Sequence, residues 1–108
     1  MKFLTKSEEI LLLAIWHLKD DAYGVTIRKH VMKVTMENVT YGTLYSSLDQ
    51  LVKKEYVYKT IGDPTPERGG RRKIFYSLAP RGLEALKKSQ ELTKVLWSGI
   101  PDVAFGEG

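Results

Sequence analysis

The chain has no cysteine among its 108 residues. That excludes disulfide frameworks, zinc fingers and thiol redox switches, and it fits a reducing compartment. Nor is there a long hydrophobic run: the longest, Ile10 to Trp16, falls far short of the ~20 apolar residues that cross a bilayer. It follows Glu8 and Glu9 rather than a basic stretch. Neither a signal peptide nor a membrane anchor is therefore expected, and the expected location is cytoplasmic. Paired ionisable groups are missing too. His17 and His30 fall on different predicted helices, Asp20 and Asp21 read as a loop start, and there is no metal-ligand spacing, nucleophile constellation or phosphate loop. The expectation is a protein that is not an enzyme and carries no metal or cofactor.

What is present describes one small soluble domain. Hydrophobic residues make up 43% and charged residues 28% of the chain, which suggests neither disorder nor a membrane protein. A domain of this size buries only about 60 to 70% of its unfolded surface, so association with a second copy would help it. The formal charge of +4 is concentrated rather than spread. Between Lys53 and Lys73 lie seven basic residues (Lys53, Lys54, Lys59, Arg68, Arg71, Arg72, Lys73) against three acidic ones (Glu55, Asp63, Glu67). The rest of the chain has ten of each sign. One segment thus holds the whole excess, which implies a local contact with a polyanion.

The periodicity predicts three helices, a hairpin and a last helix. Thr5 and Glu8 have capping-box spacing ahead of a helix from about Lys6 to Leu18, and apolar residues surround that helix instead of forming one stripe. Val25, Ile27, Val31 and Val34 support a second helix, with Arg28, Lys29 and Lys33 on polar positions, and Gly24 weakens its first turn. Thr40 is a good N-cap for a third, in which Leu44, Leu48, Leu51 and Val52 follow core spacing. The opposite face of the third helix presents Thr43, Ser46, Ser47 and Gln50, none of them acidic. Alternating β-formers at Tyr56–Ile61 and Lys73–Leu78 predict a two-stranded hairpin, with a basic tip rich in glycine and proline from Gly62 to Arg72. Pro80 suits the first turn of a last helix carrying Leu83, Ala85, Leu86, Leu92, Val95, Leu96 and Trp97 and ending at Gly99 and Pro101.

The expected fold is mainly α with a two-stranded β-wing: a winged helix-turn-helix over residues 1–80, an added C-terminal dimerisation helix over 81–99, and a tail over 100–108. Each part has a physical role on duplex DNA. The helix from Thr40 to Lys54 would lie in the major groove with its N-terminal residues at base edges. Its N-terminus favours an anion, and the hydroxyls of Thr40, Tyr41, Thr43, Tyr45, Ser46 and Ser47 can donate to phosphates or bases. Lys53, Lys54, Arg68, Arg71, Arg72 and Lys73 would neutralise flanking phosphates or enter a minor groove. Tyr45 and Tyr76 can equally be read as core residues. The rival reading is a winged-helix module for protein–protein contact, because fold alone does not fix function; four cations near the wing tip argue against it.

Over nearly its whole length the chain resembles the PadR-like transcriptional regulators. The likeness lies in Ala22-Tyr23-Gly24, in Tyr41-Gly42-Thr43-Leu44-Tyr45, in Gly69-Gly70-Arg71-Arg72-Lys73-Ile74-Phe75-Tyr76, and in Leu78-Ala79-Pro80-Arg81-Gly82. All four occur in order, and the single helix after the wing resembles the smaller subfamily. The resemblance implies a homodimeric repressor acting on a pseudo-palindromic operator, with Tyr23 among the DNA-binding residues and with release by a small-molecule effector in some members. It also implies that the last helix packs on the partner's first and last helices, which makes Leu12, Ile15, Trp16, Leu86, Leu92, Val95 and Leu96 the expected dimer interface. Some relatives hold flat aromatic ligands between paired tryptophans, and Trp97 is the candidate for that part here. The sequence departs from the family pattern at three positions: the family often has proline where Ser46 and Arg72 stand, and a threonine N-cap where Ala79 stands.

Overall fold

The computed structural model describes residues 3–64 and 72–100. Arg68, Arg71, most of the expected wing tip and the tail from 101 onward lie outside the described residues. The elements follow in the order α1 (Lys6–Leu18), a short 3-10 turn (Lys19–Asp21), α2 (Gly24–Thr35), α3 (Tyr41–Lys53), β1 (Val57–Pro64), β2 (Arg72–Leu78) and α4 (Pro80–Leu96). The Asp20–Asp21 stretch, read as loop from sequence, closes as that 3-10 turn.

Helix starts follow their caps. Thr5 Oγ1 accepts from Glu8 N–H at 3.1 Å while Glu8 Oε1 accepts from Thr5 N–H at 2.8 Å, the reciprocal arrangement that satisfies two orphan donors. Thr40 Oγ1 accepts from Thr43 N–H at 3.2 Å at the start of α3. Between α2 and α3 the chain reverses through Met36, which holds a left-handed φ of 60° and closes α2 by donating to Met32 O at 2.9 Å.

The core is one cluster at the meeting of the three helices and the wing. It gathers Leu11, Leu12, Ala14 and Ile15 of α1, Ala22, Ile27 and Val31, Leu44, Leu48 and Leu51 of α3, and Val57 and Tyr76 of the hairpin. This sorts out α1, whose sequence shows no stripe. Leu12 and Ile15, expected at a dimer interface, are 0% and 2% exposed; they are core residues of the protomer and offer nothing to a partner. The outward apolar residues of α1 are Leu13 and Trp16, at 41% and 47%.

The wing is an antiparallel pair, with Val57 opposite Leu78 and Ile61 opposite Ile74, and an irregularity between Ile61 and Pro64. β1 therefore runs three residues past the Ile61 expected from the alternation. The hairpin is tied to the start of α2: Tyr23 bridges to Phe75, and Tyr76 N–H donates to Ala22 O at 2.8 Å. Phe75 lies close over Gly62, where a Cβ would meet its ring at 2.8 Å.

α4 leaves the body after its first turns. Ala79 provides no side-chain cap, but it is buried and donates its N–H to Tyr56 O at 3.0 Å. Gly82 is packed so tightly on the same turn that a Cβ would lie 2.2 Å from Tyr56 O. The N-terminus of α4 thus gives up a cap, worth roughly 1 kcal/mol, for close seating on the α3–β1 turn. Ser89 Oγ donates to Glu9 Oε2 at 2.7 Å, joining α4 to α1. Beyond it Val95, Leu96 and Trp97 are exposed. No helix of the described residues is long and apolar enough to cross a membrane.

Candidate nucleic-acid interface

The exposed surface of α3 begins at its N-terminus because Leu44, Leu48 and Leu51 turn the opposite face inward. Tyr41, Gly42, Thr43, Tyr45 and Ser46 are exposed, and Ser47 is half-buried. Tyr41 and Tyr45 are each 40% exposed and stack on one another, with ring centres 6.1 Å apart and planes 21° apart. Their spacing, one helical turn, puts the rings one above the other. Thr40 and Thr43 share a hydroxyl–hydroxyl contact at 3.0 Å, so both are partly engaged in holding the cap.

A cation not named among the sequence candidates stands beside this pair. The Arg28 guanidinium lies over the Tyr41 ring at 4.6 Å, while its Nε donates to Val39 O and its Nη2 reaches Asn38 Oδ1 at 3.5 Å. Arg28 thus pins the α2–α3 connection and braces Tyr41 in one gesture. Sequence reasoning placed Arg28 on a polar face of the second helix; the usable signal was that a planar cation there can reach the aromatic residue opening the next helix.

The other end of the strip reaches the wing. Tyr45 packs against Gly24, where a Cβ would lie 2.0 Å from its hydroxyl oxygen. Gly24, which the sequence marks only as a weak point in α2, is therefore the clearance for Tyr45. Next to it, Tyr23 meets Phe75 edge-on at 5.6 Å, and Lys73 Nζ lies over the Tyr23 ring at 4.4 Å. From α2 across α3 to the base of the wing, the three tyrosines Tyr41, Tyr45 and Tyr23 are thus flanked by a cation at each end, Arg28 over Tyr41 and Lys73 over Tyr23. Tyr76 takes the buried option: it is 2% exposed, and burial, with Asp49 and Tyr45 adding to it, pushes its phenol above the ordinary range.

Not all expected cations join this surface. Lys53 and Arg72 are exposed, but Lys54 is paired with Glu8 of α1. The hydrogen bond to that carboxylate raises the Lys54 ammonium. Burial opposes Glu8 ionisation, yet Lys54 and Thr5 together hold its carboxyl below the usual value. Lys54 therefore fastens the end of α3 to the start of α1 instead of standing free for a phosphate. Apolar side chains of the two outer helices are exposed as well: Leu13 and Trp16 of α1 and Val95 and Leu96 of α4, with Trp97 just past its end, while Leu86 and Leu92 are half-buried.

Comparison with known proteins agrees with this geometry. The sequence profile of the Transcriptional regulator PadR-like family matches residues 12–88. No curated protein matches the chain. Among solved structures, the RosR protein of H. salinarum is similar at 26% identity, covering 95% of this chain and 86% of its own, with a TM-score of 0.70. A PadR family transcription regulator from Clostridium difficile is 26% identical, covering 92% of this chain and 95% of its own, with a TM-score of 0.61. F93 from STIV, a winged-helix DNA-binding protein, is 16% identical over 91% of this chain and 98% of its own, with a TM-score of 0.64, and shares the fold.

Proposed function

The chain belongs to the PadR-like family of transcriptional regulators, and from that premise we propose that it is a homodimeric repressor of a pseudo-palindromic duplex operator, released by a small-molecule effector. One observation carries the DNA reading: the N-terminal half of α3 is exposed, has no acidic residue in its first turn, and is bracketed by Arg28 and Lys73. Tyr23, Thr40, Tyr41, Thr43, Tyr45, Ser46 and Ser47 are the residues set at base edges and adjacent phosphates. Lys53, Arg72 and Lys73, with Arg68 and Arg71 of the wing tip, supply the sequence-independent phosphate contacts.

Two copies are proposed to meet through Leu13 and Trp16 of α1 and Leu86, Leu92, Val95 and Leu96 of α4. Leu13, Trp16, Val95 and Leu96 are large apolar side chains open to solvent, the kind of surface that a partner covers. A two-fold dimer then favours half-sites spaced near one helical turn or a multiple of it. Trp97, exposed at the end of α4, is the proposed effector contact. If planar cationic drugs leave its fluorescence unchanged at high micromolar concentration, that ligand class is wrong.

The test of DNA binding is anisotropy on labelled genomic fragments across a salt series. Binding should weaken steeply with salt, with a log–log slope of about 0.9 per phosphate neutralised, and Arg71→Ala and Arg72→Ala should lower that slope. A protein that ignores its own genome's fragments in dilute buffer would overturn the reading, and one bound without salt dependence would favour a protein–protein module.

A further inference from the structure

Away from the α3 face, two imidazoles from different helices stand together. His17 of α1 and His30 of α2 have ring centres 5.6 Å apart and planes 27° apart. We propose that they form a two-histidine site for a divalent transition-metal ion of the zinc and nickel class, clamping α1 to α2.

The distance fits. Two imidazoles that share one tetrahedral ion, each nitrogen about 2.0–2.1 Å from it, hold their ring centres about 5 Å apart. The ring nitrogens are also uncommitted: neither histidine exchanges a hydrogen bond with another described residue. Each can therefore present a nitrogen to an ion without breaking a hydrogen bond, and exposed His17 has the room to do so. Neutral imidazole is the commonest protein ligand for these metals.

The local field favours a cation on one side. His17 lies in the last turn of α1, at the negative end of that helix's dipole, and Asp20 and Asp21 follow it directly in the 3-10 turn. Lys29 and Lys33 on α2 work the other way and keep the affinity modest. Among the described residues, no group of three or more potential ligands gathers. The protein therefore supplies two ligands, and water fills the remaining positions. Sequence spacing carried no metal motif because the pair is made by the packing of two helices, not by one segment.

The full chain is tested by thermal unfolding in Zn²⁺ and Ni²⁺, with Mg²⁺ as the hard-cation control. The midpoint should rise with Zn²⁺ and with Ni²⁺ but not with Mg²⁺, and the rise should shrink on acidification because imidazole ligates only when neutral. Loss of even an outer-shell partner weakens metal sites about 10- to 100-fold, so His17→Ala and His30→Ala should each raise the half-saturating concentration at least that much. A second readout does not depend on those variants folding. Trp16 touches the His17 ring edge-on at 5.1 Å, so Ni²⁺ should quench Trp16 fluorescence in a Trp97→Phe background. Two results would each overturn the site: no quenching at about 1 mM metal, a concentration that fills any site of useful affinity, or single-alanine variants that respond as the wild type does.

Discussion

Replacing Gly42 by alanine should raise stability and weaken DNA binding together. Gly42 is the second residue of α3, its φ is not positive, and a Cβ built there meets nothing within 4 Å. The protomer thus gives no steric reason for glycine. In a helix interior, alanine is favoured over glycine by about 0.8–1.0 kcal/mol; in the first turn about half of that is a fair expectation. For a domain near this size 1 kcal/mol moves the melting midpoint by about 4–8 °C, so the variant should melt roughly 2–4 °C higher. On the proposed reading, the space that the protomer leaves open is where a duplex phosphate would approach the amides of the helix N-terminus. A methyl group there pushes the phosphate away. A hydrogen bond to a charged group is worth about 1.5–3 kcal/mol, hence about a 10- to 100-fold loss of affinity. Differential scanning calorimetry and anisotropy on one preparation read both effects. A stabilised protein with unchanged affinity would refute the placement of the α3 N-terminus against DNA. A destabilised one would refute the backbone argument itself.

Gly82→Ala should do the opposite, lowering stability by about 1–3 kcal/mol or more by overpacking, because the atom in the way is the backbone oxygen of Tyr56; denaturant melts check it. Gly24→Ala collides only with the tip of the Tyr45 side chain, so its stability should change little while Tyr45 swings off Tyr41 and operator preference shifts, as a panel of related operators would show. Arg28→Lys should fail to rescue Arg28→Ala in operator affinity, since an ammonium cannot lie flat on Tyr41 while donating to Val39 O and Asn38; equal binding by the lysine variant would reduce Arg28 to a simple charge. The Ser89 hydrogen bond and Lys6 hold the Glu9 carboxyl below its usual value against the opposing effect of burial. A lowered carboxylate contributes stability above its unfolded pKa and loses it as pH falls through the folded one. The advantage of wild type over Glu9→Gln should therefore be full near neutrality and fade below about pH 4.5, the ordinary carboxylate value; an advantage that persists at pH 2 would show that the contact is not ionic.

Much of the framework was legible from local rules. Thr5 and Thr40 announced their helices because capping is a matter of neighbouring residues. Leu44, Leu48 and Leu51 announced the buried face of α3 because its spacing matches one side of a helix. The wing showed as two alternating stretches, although β1 continues to Pro64 past the point where alternation stops. Contacts that depend on where distant residues meet were not legible. Lys54 looked like one more cation of a basic segment until folding placed Glu8 beside it. Arg28 looked like a solvated helix residue until Tyr41 came within reach. Ala79 looked like a lost cap, whereas its buried backbone donates to Tyr56 O and seats the start of α4 on the Tyr56 turn.

The hardest residues to assign were those of α1, and the reason is physical. A helix in a 108-residue protein that seals a small core and, on the proposed reading, also meets a second copy needs apolar residues on two faces. Hydrophobicity alone cannot say which face is which. Leu12 and Ile15 differ from Leu13 and Trp16 only by a fraction of a helical turn, yet the first pair is enclosed and the second is bare. The distinction is set by what α2 and the hairpin cover, through Ile27, Val31, Val57 and Tyr76. Substitutions should separate the two roles. Leu12→Ala should lower stability by about 2–5 kcal/mol, as emptied core sites do, at any protein concentration. Trp16→Ala should instead cost most in dilute protein and least in concentrated protein, as weakening the proposed contact between copies would. A cost of Trp16→Ala that is the same at every protein concentration would place Trp16 outside any interface and leave α4 to hold the proposed dimer alone.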